Sequence, residues 1–171
     1  MRKTNKKQII FLIILTLISI SCTKPDDAFL VSALKNDLVG IKKAIERGAN
    51  VNIRIQEGEY KGFTVLMLAA KNGNIELVKL LINARADVNL KKTPIKREHP
   101  ERYNGCSALR FAAIRQHFEI VRLLIKAGAD VNSHDANNDT ALLSADTSEN
   151  MKIFQLLLKS GIDVNVASGR A

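Results

Sequence analysis

Few residues in this chain are of types that carry out chemistry, and their spacing limits what they can do. The three His are His99, His117 and His134. A bound zinc needs three or four His, Cys or carboxylate ligands on one compact frame. His134-Asp135 is an adjacent pair with no further His or Cys at ligand spacing, so no metal is expected. Cys106 sits beside Ser107 with no His near it in sequence, which leaves a thiol without a base. Neither a Gly-x-Ser-x-Gly elbow nor a Gly-rich phosphate loop occurs. The expectation is therefore no catalytic residue, no cofactor, no small-molecule substrate and no enzyme activity. Asn138-Asp139-Thr140 fits a glycosylation sequon but reads better as a turn with Asn138 at positive φ. What remains is contact chemistry. The only two Tyr, Tyr60 and Tyr103, each stand two residues before a Gly and four before a short polar residue, Thr64 or Ser107. Tyr offers a large contact area at low entropy cost and is enriched at binding hot spots. Alternatively, each ring packs over its own loop.

That equal spacing belongs to an internal repeat. Asp-Val-Asn or its variant occurs at 50–52, 87–89, 130–132 and 163–165. Counting back 25 residues from each last Asn reaches Asp27, Thr64, Ser107 and Thr140, short polar residues suited to capping a helix. Phe29, Leu66, Leu109 and Leu142 follow two residues later. Each block reads as two short helices around a break. Thr64 to Lys71 is rich in small and apolar residues, Asn72-Gly73-Asn74 is a turn, and Ile75 to Asn83 is amphipathic. Paired Ala residues, Ala69-Ala70 and Ala112-Ala113, allow close helix approach. Gly48, Gly128 and Gly161 fall where a helix ends.

Thr64-Val65-Leu66-Met67-Leu68-Ala69-Ala70, Gly73 to Ile82 and Ala127-Gly128-Ala129-Asp130-Val131-Asn132 closely resemble ankyrin repeats. The resemblance covers about Asp26 to Asn165 and implies an all-α solenoid of four helix-turn-helix repeats with finger loops, about 27–52, 64–89, 107–132 and 140–165. The domain would run over 26–171. One departure stands out. Met67, Arg110 and Leu143 occupy the family's His position, so its loop-bracing hydrogen bond is expected to be missing and the loops looser. The end repeats are more polar, as terminal repeats need for solubility. Gly40 and Lys43 mark the first, Ser144 and Asp146 to Ser148 the fourth, although Ile153, Phe154 and Leu156 keep the last helix apolar.

Connections from each Asn to the next block measure 12, 18 and 8 residues, so all length variation lies in the fingers. Insertions in repeat proteins commonly mark the binding edge. The longest finger, Lys91 to Arg102, carries five cations and two acids. The expected binding set for a protein partner is Tyr60, Lys61, Lys71, Lys96, Arg97, Tyr103, Arg110 and Arg115. Together these residues would make a basic rim for an acidic partner, unless the charged finger is merely solvated.

The N-terminus reads as an address. Arg2, Lys3, Lys6 and Lys7 precede an apolar run from Ile9 to Ile20. Twelve residues make ~18 Å of helix against ~30 Å of hydrocarbon, the length of a secretory signal core rather than a span. Ser21-Cys22 resembles a bacterial lipoprotein cleavage site, although Ser19 stands where that pattern has Leu. The resemblance implies a signal peptide over 1–21, acylation of Cys22, and a short lipid-anchored tether over 22–25. The expected location is the bacterial cell envelope, lipid-anchored in the outer membrane and facing the periplasm or the surface. Removing the address lowers the net charge from +9 to +5, of which the long finger supplies +3. The remainder is too balanced for a nucleic-acid surface. The expected function is an exported, membrane-anchored protein-binding module. Immunity to a secreted toxin such as a lipase, or service as a scaffold for a periplasmic enzyme, are narrower alternatives.

Overall fold

The computed structural model describes residues 24–93, 103–145 and 151–164. The signal region, Cys22, Lys96, Arg97, His99 and Asp146 to Ser148 lie outside the described residues. Eight helices occur in four pairs: α1 (Pro25–Leu34) and α2 (Leu38–Glu46); α3 (Val65–Asn72) and α4 (Ile75–Asn83); α5 (Ala108–Ile114) and α6 (Phe118–Lys126); α7 (Ala141–Ala145) and α8 (Met151–Lys159). No strand forms among the described residues, and no helix there is long and apolar enough to cross a membrane. The chain divides into two compact units at Val51 and Asn52.

In the N-terminal unit, α1 begins three residues earlier than the block arithmetic expects, with Lys24 rather than Asp27 in the capping position. Pro25 takes the first helical turn, where its missing N–H costs nothing, so Asp27 is inside the helix and caps nothing. Asp26 does the useful work: its carboxylate accepts from the backbone N–H of Asn50 at 2.7 Å, tying the two ends of the pair together. Asp37 caps α2 by accepting from Val39 and Gly40. Gly40 leaves room for that cap: a Cβ at its position would meet Ser32 Oγ and an Asp37 carboxylate oxygen, so a larger residue would make those side chains shift. Phe29 and Ile41 fill the space between the helices.

The second unit holds the other three pairs as a stack. First helices α3, α5 and α7 pack side by side, and outer helices α4, α6 and α8 form a second row behind them. Burial follows the sequence pattern. Val65 through Ala70 of α3 are all buried, as are Ala108 through Ala113 of α5, because first helices are enclosed on several sides. The Ala pairs are at most 1 % exposed, which is what allows this spacing. Outer helices bury one stripe only: Leu77, Val78 and Leu81 on α4, Ile120, Val121 and Leu124 on α6, and Ile153 and Leu157 on α8. Each such Leu or Ile contributes about 1.5–3 kcal/mol by leaving water. Thr64 and Ser107 cap α3 and α5 as expected, accepting from the N–H of Met67 and Arg110. Gly48, Gly128 and Gly161 have φ near +85°, in the expected left-handed region.

The Asp-Val-Asn signature has a physical cause that composition alone does not reveal. Asn52 Oδ1 accepts from Asp87 N, Asn89 Oδ1 from Asp130 N, and Asn132 Oδ1 from Asp163 N, at 2.7–2.8 Å. Asn89 and Asn132 also donate through Nδ2 to the carbonyls of Gly128 and Gly161. Each of the three thus satisfies exposed backbone of the next repeat, and Asn89 and Asn132 do so with an acceptor and a donor on one planar group. Asp87 and Asp130 fold their own turn by accepting from the N–H two residues on.

Candidate functional site

Three fingers project from the second unit, and each closes by the same bond. Ile55 N donates to Phe63 O, Lys92 N to Cys106 O, and Asp135 N to Asp139 O, at 2.8–3.0 Å. The closing position lies three residues after each signature Asn and one before each block start, so it is in register whatever the finger length. Gly62, Gly105 and Asn138 occupy equivalent places with φ of 81°, 76° and 65°. Asn138 therefore serves the turn, as its sequence context indicates. Successive fingers also join each other: Thr93 N donates to Gly62 O, and Ala136 N to Asn104 O. Arg54 adds a brace, donating from Nη1 to the carbonyls of Gly62 and Lys91. Lys91 Nζ in turn reaches the carbonyl of His134 at 2.8 Å. These bonds join the described parts of the three fingers into one edge.

On that edge the two Tyr converge. Tyr60 meets Phe63 edge-on with centroids 5.9 Å apart, and Tyr103 lies 5.5 Å from Phe111. Phe63 and Phe111 stack at 4.8 Å, joining both pairs into one aromatic cluster. The Lys71 ammonium, at the end of α3, stands 4.9 Å from the Tyr60 ring, 5.6 Å from Phe63 and 5.9 Å from Tyr103. A cation over ring faces gains about 0.5–2 kcal/mol per contact. Lys92 Nζ is 5.7 Å from the same Phe63 ring, with Asn104 Oδ1 at 3.5 Å. Partial burial, and then the neighbouring Glu59, raise the Tyr60 phenol above its ordinary value. Behind this cluster His117 stacks over Gly73, and its Nε2 lies 3.3 Å from the Lys71 carbonyl. That contact makes His117 a structural residue of the turn, as the sequence suggests.

Arg110 has a different fate. It is 7 % exposed, and its guanidinium pairs with the fully buried Asp135 and, at 3.0 Å, with Asp139. Expectations for this residue fail in two ways. It does not join a basic rim, since two carboxylates of the next finger neutralise it. It also replaces the brace that was expected to be missing, clamping that finger to α5. In the same position of the preceding repeat, Met67 closes a capping box, its sulfur accepting from Thr64 N at 3.5 Å. Asp135 itself accepts from the N–H groups of Asn137 and Asp139, so its carboxylate is saturated rather than available to a metal. Cys106 borders the clamp, with Arg110 Nη1 3.5 Å from its sulfur. Burial pushes its thiol up to about 11, against the opposing pull of Arg110, which favours the protonated form at neutral pH. Among the described residues no three His, Cys, Asp or Glu side chains cluster as metal ligands.

Paired helices, buried Ala residues, turn glycines and fingers that close one residue before a capping Thr or Ser define a repeat type. A family model of ankyrin repeats in three copies matches residues 90–168, and one of a single ankyrin repeat matches residues 61–93. The chain carries ankyrin repeats. Ankyrin repeats are protein-interaction modules. Helices α1 and α2 form a pair of the same kind outside both matches. No curated protein matches the chain.

Of the residues singled out from sequence, the ankyrin edge brings together Tyr60, Lys71 and Tyr103. Lys61 and Arg115 are exposed. Neither has an ion-pair partner among the described residues. Sequence reasoning missed Phe63, Phe111 and Lys92. The first two read as ordinary core residues, and only the position of Phe63 directly before its cap hinted at a finger role. Asp135 was noticed only as half of a His-Asp pair.

Proposed function

We propose that this chain holds a protein partner on the edge formed by its fingers and first helices. The observation that carries the reading is the convergence of Tyr60 and Tyr103, 43 residues apart, on one Lys71 ammonium. Bonds between successive fingers fix that surface before any partner arrives, which lowers the entropy cost of binding. The rings are half-buried, so each retains area for contact. The test is capture from envelope extract followed by reconstitution with the purified partner. Replacing both Tyr60 and Tyr103 by Ala should weaken the reconstituted complex by at least 2 kcal/mol, the scale of a hot-spot pair. Unchanged affinity would move the binding surface elsewhere.

The reading includes an address. The cationic start, the apolar core of signal length and Ser21-Cys22 support export and acylation at Cys22 in a bacterial envelope. Three residue steps separate Cys22 from Pro25, at most ~11 Å of chain, so the first repeat would ride close to the lipid. A partner confined to the same membrane surface, a toxin or an envelope enzyme, fits that placement.

A further inference from the structure

Lys71 is a half-buried cation surrounded by rings, and its charge is unanswered within the described residues. The rings engage the ammonium by its electrostatic attraction to their faces, but no described carboxylate lies within ion-pair distance. Lys92 deepens the imbalance. Only 7 % exposed, it shares the Phe63 ring with Lys71 and has an amide oxygen as its polar neighbour. Two like charges drawn to one ring favour an incoming anion. The contrast with Arg110 on the next helix is informative. There the fold supplies two carboxylates of its own, and here the described residues supply none.

We infer that the Lys71 cluster is a seat for a single acidic side chain, Glu or Asp, presented by the protein partner. This rests on the finger-edge reading above and adds the chemistry of the contact. The aromatic walls take the stem of the incoming residue, and Lys71 takes its carboxylate. Lys92, fixed beneath by Asn104, raises the local positive potential without needing to move. Glu57 and Glu59, exposed on the same finger, oppose it, and Glu59 is engaged with the Tyr60 phenol.

The molecule carries its own reporter, because its only two Tyr both border Lys71 and it has no Trp. The full-length chain in mild detergent is titrated with hexaglutamate, hexalysine and glycerol phosphate, reading Tyr emission. Hexaglutamate should perturb the emission, with affinity falling as salt rises. Lys71→Met, which keeps the apolar stem, should weaken hexaglutamate by about fivefold or more, the upper range for a partly exposed ion pair. Lys71→Arg should retain it, and Lys42→Met, on the other unit, should change nothing. Equal affinity for wild type and Lys71→Met overturns the inference, as does no response to hexaglutamate. A response to glycerol phosphate alone also overturns it, by assigning the seat to a lipid headgroup. If the Tyr60/Tyr103 double variant loses the purified partner while Lys71→Met retains it fully, the finger edge stands and the acidic seat falls. If the double variant keeps the partner, the edge itself falls.

Discussion

Arg110 shows how much a single side chain can decide in a small repeat domain. A buried cation is tolerable only with its charge answered, and Asp135 and Asp139 answer it. Removing one member leaves the other stranded in low dielectric, which costs more than the intact pair contributes. Arg110→Met should therefore destabilise the protein by about 3–5 kcal/mol in urea denaturation. Adding Asp135→Asn to that variant should recover part of the loss, because the orphaned charge is then gone. A Met variant as stable as the parent would mean that the clamp is idle. Lys71 is the opposite case, a cation left for others to answer. Sequence alone could not separate the two. Both are basic residues on first helices, and the distinction depends on carboxylates placed 25 and 29 residues beyond Arg110 in another finger.

At the scale of elements, the signature Asn explains why the blocks share one length. Its amide spans from one turn to the backbone of the next repeat, so the turn must fall at a fixed distance from the helices that set the stacking. Asn89→Ala should cost about 1–2 kcal/mol by leaving Asp130 N and Gly128 O without this partner. Asn89→Asp keeps the acceptor and loses the donor, and should cost less. Thermal melts of the two variants would rank them, and the reverse order would assign the Asn another role. Most of this architecture was legible in the sequence. Helix pairs, the Thr64 and Ser107 caps, turn glycines and the finger register follow from local rules, and Ile75–Asn83 forms over the expected residues. Asp27, by contrast, lies inside its helix, and Thr140 Oγ1 is buried with no hydrogen-bond partner among the described residues. Two errors share a cause. Pro25 opened α1 earlier than the repeat arithmetic allowed, and Arg110 supplied a brace where the missing His suggested none. Each reflects a residue outside the family pattern filling the same physical need. The aromatic cluster was half legible. Equal spacing exposed the two Tyr as equivalent, but their meeting over Lys71 depends on finger-to-finger bonds that no local pattern encodes.

For the whole molecule, charge is partitioned by role. Cations of the first residues belong to the proposed address, Arg110 is spent internally, and Lys61, Lys71 and Arg115 face outward or half outward. The anchor is directly testable: cells fed labelled palmitate should incorporate it into this protein, and Cys22→Ala should abolish the signal and release the protein from membranes. Labelling that survives the substitution would place any lipid elsewhere. The finger closures carry one more consequence. Lys92 N to Cys106 O and Gly105 N to Lys92 O buckle the longest finger at its root, and the neighbouring fingers close at the same register with far fewer residues between. Doubling the length of such a loop costs only about 0.6 kcal/mol of closure entropy. The buckle therefore fixes the root of a finger independently of its length, so the repeat frame can carry fingers of different lengths without changing its own geometry.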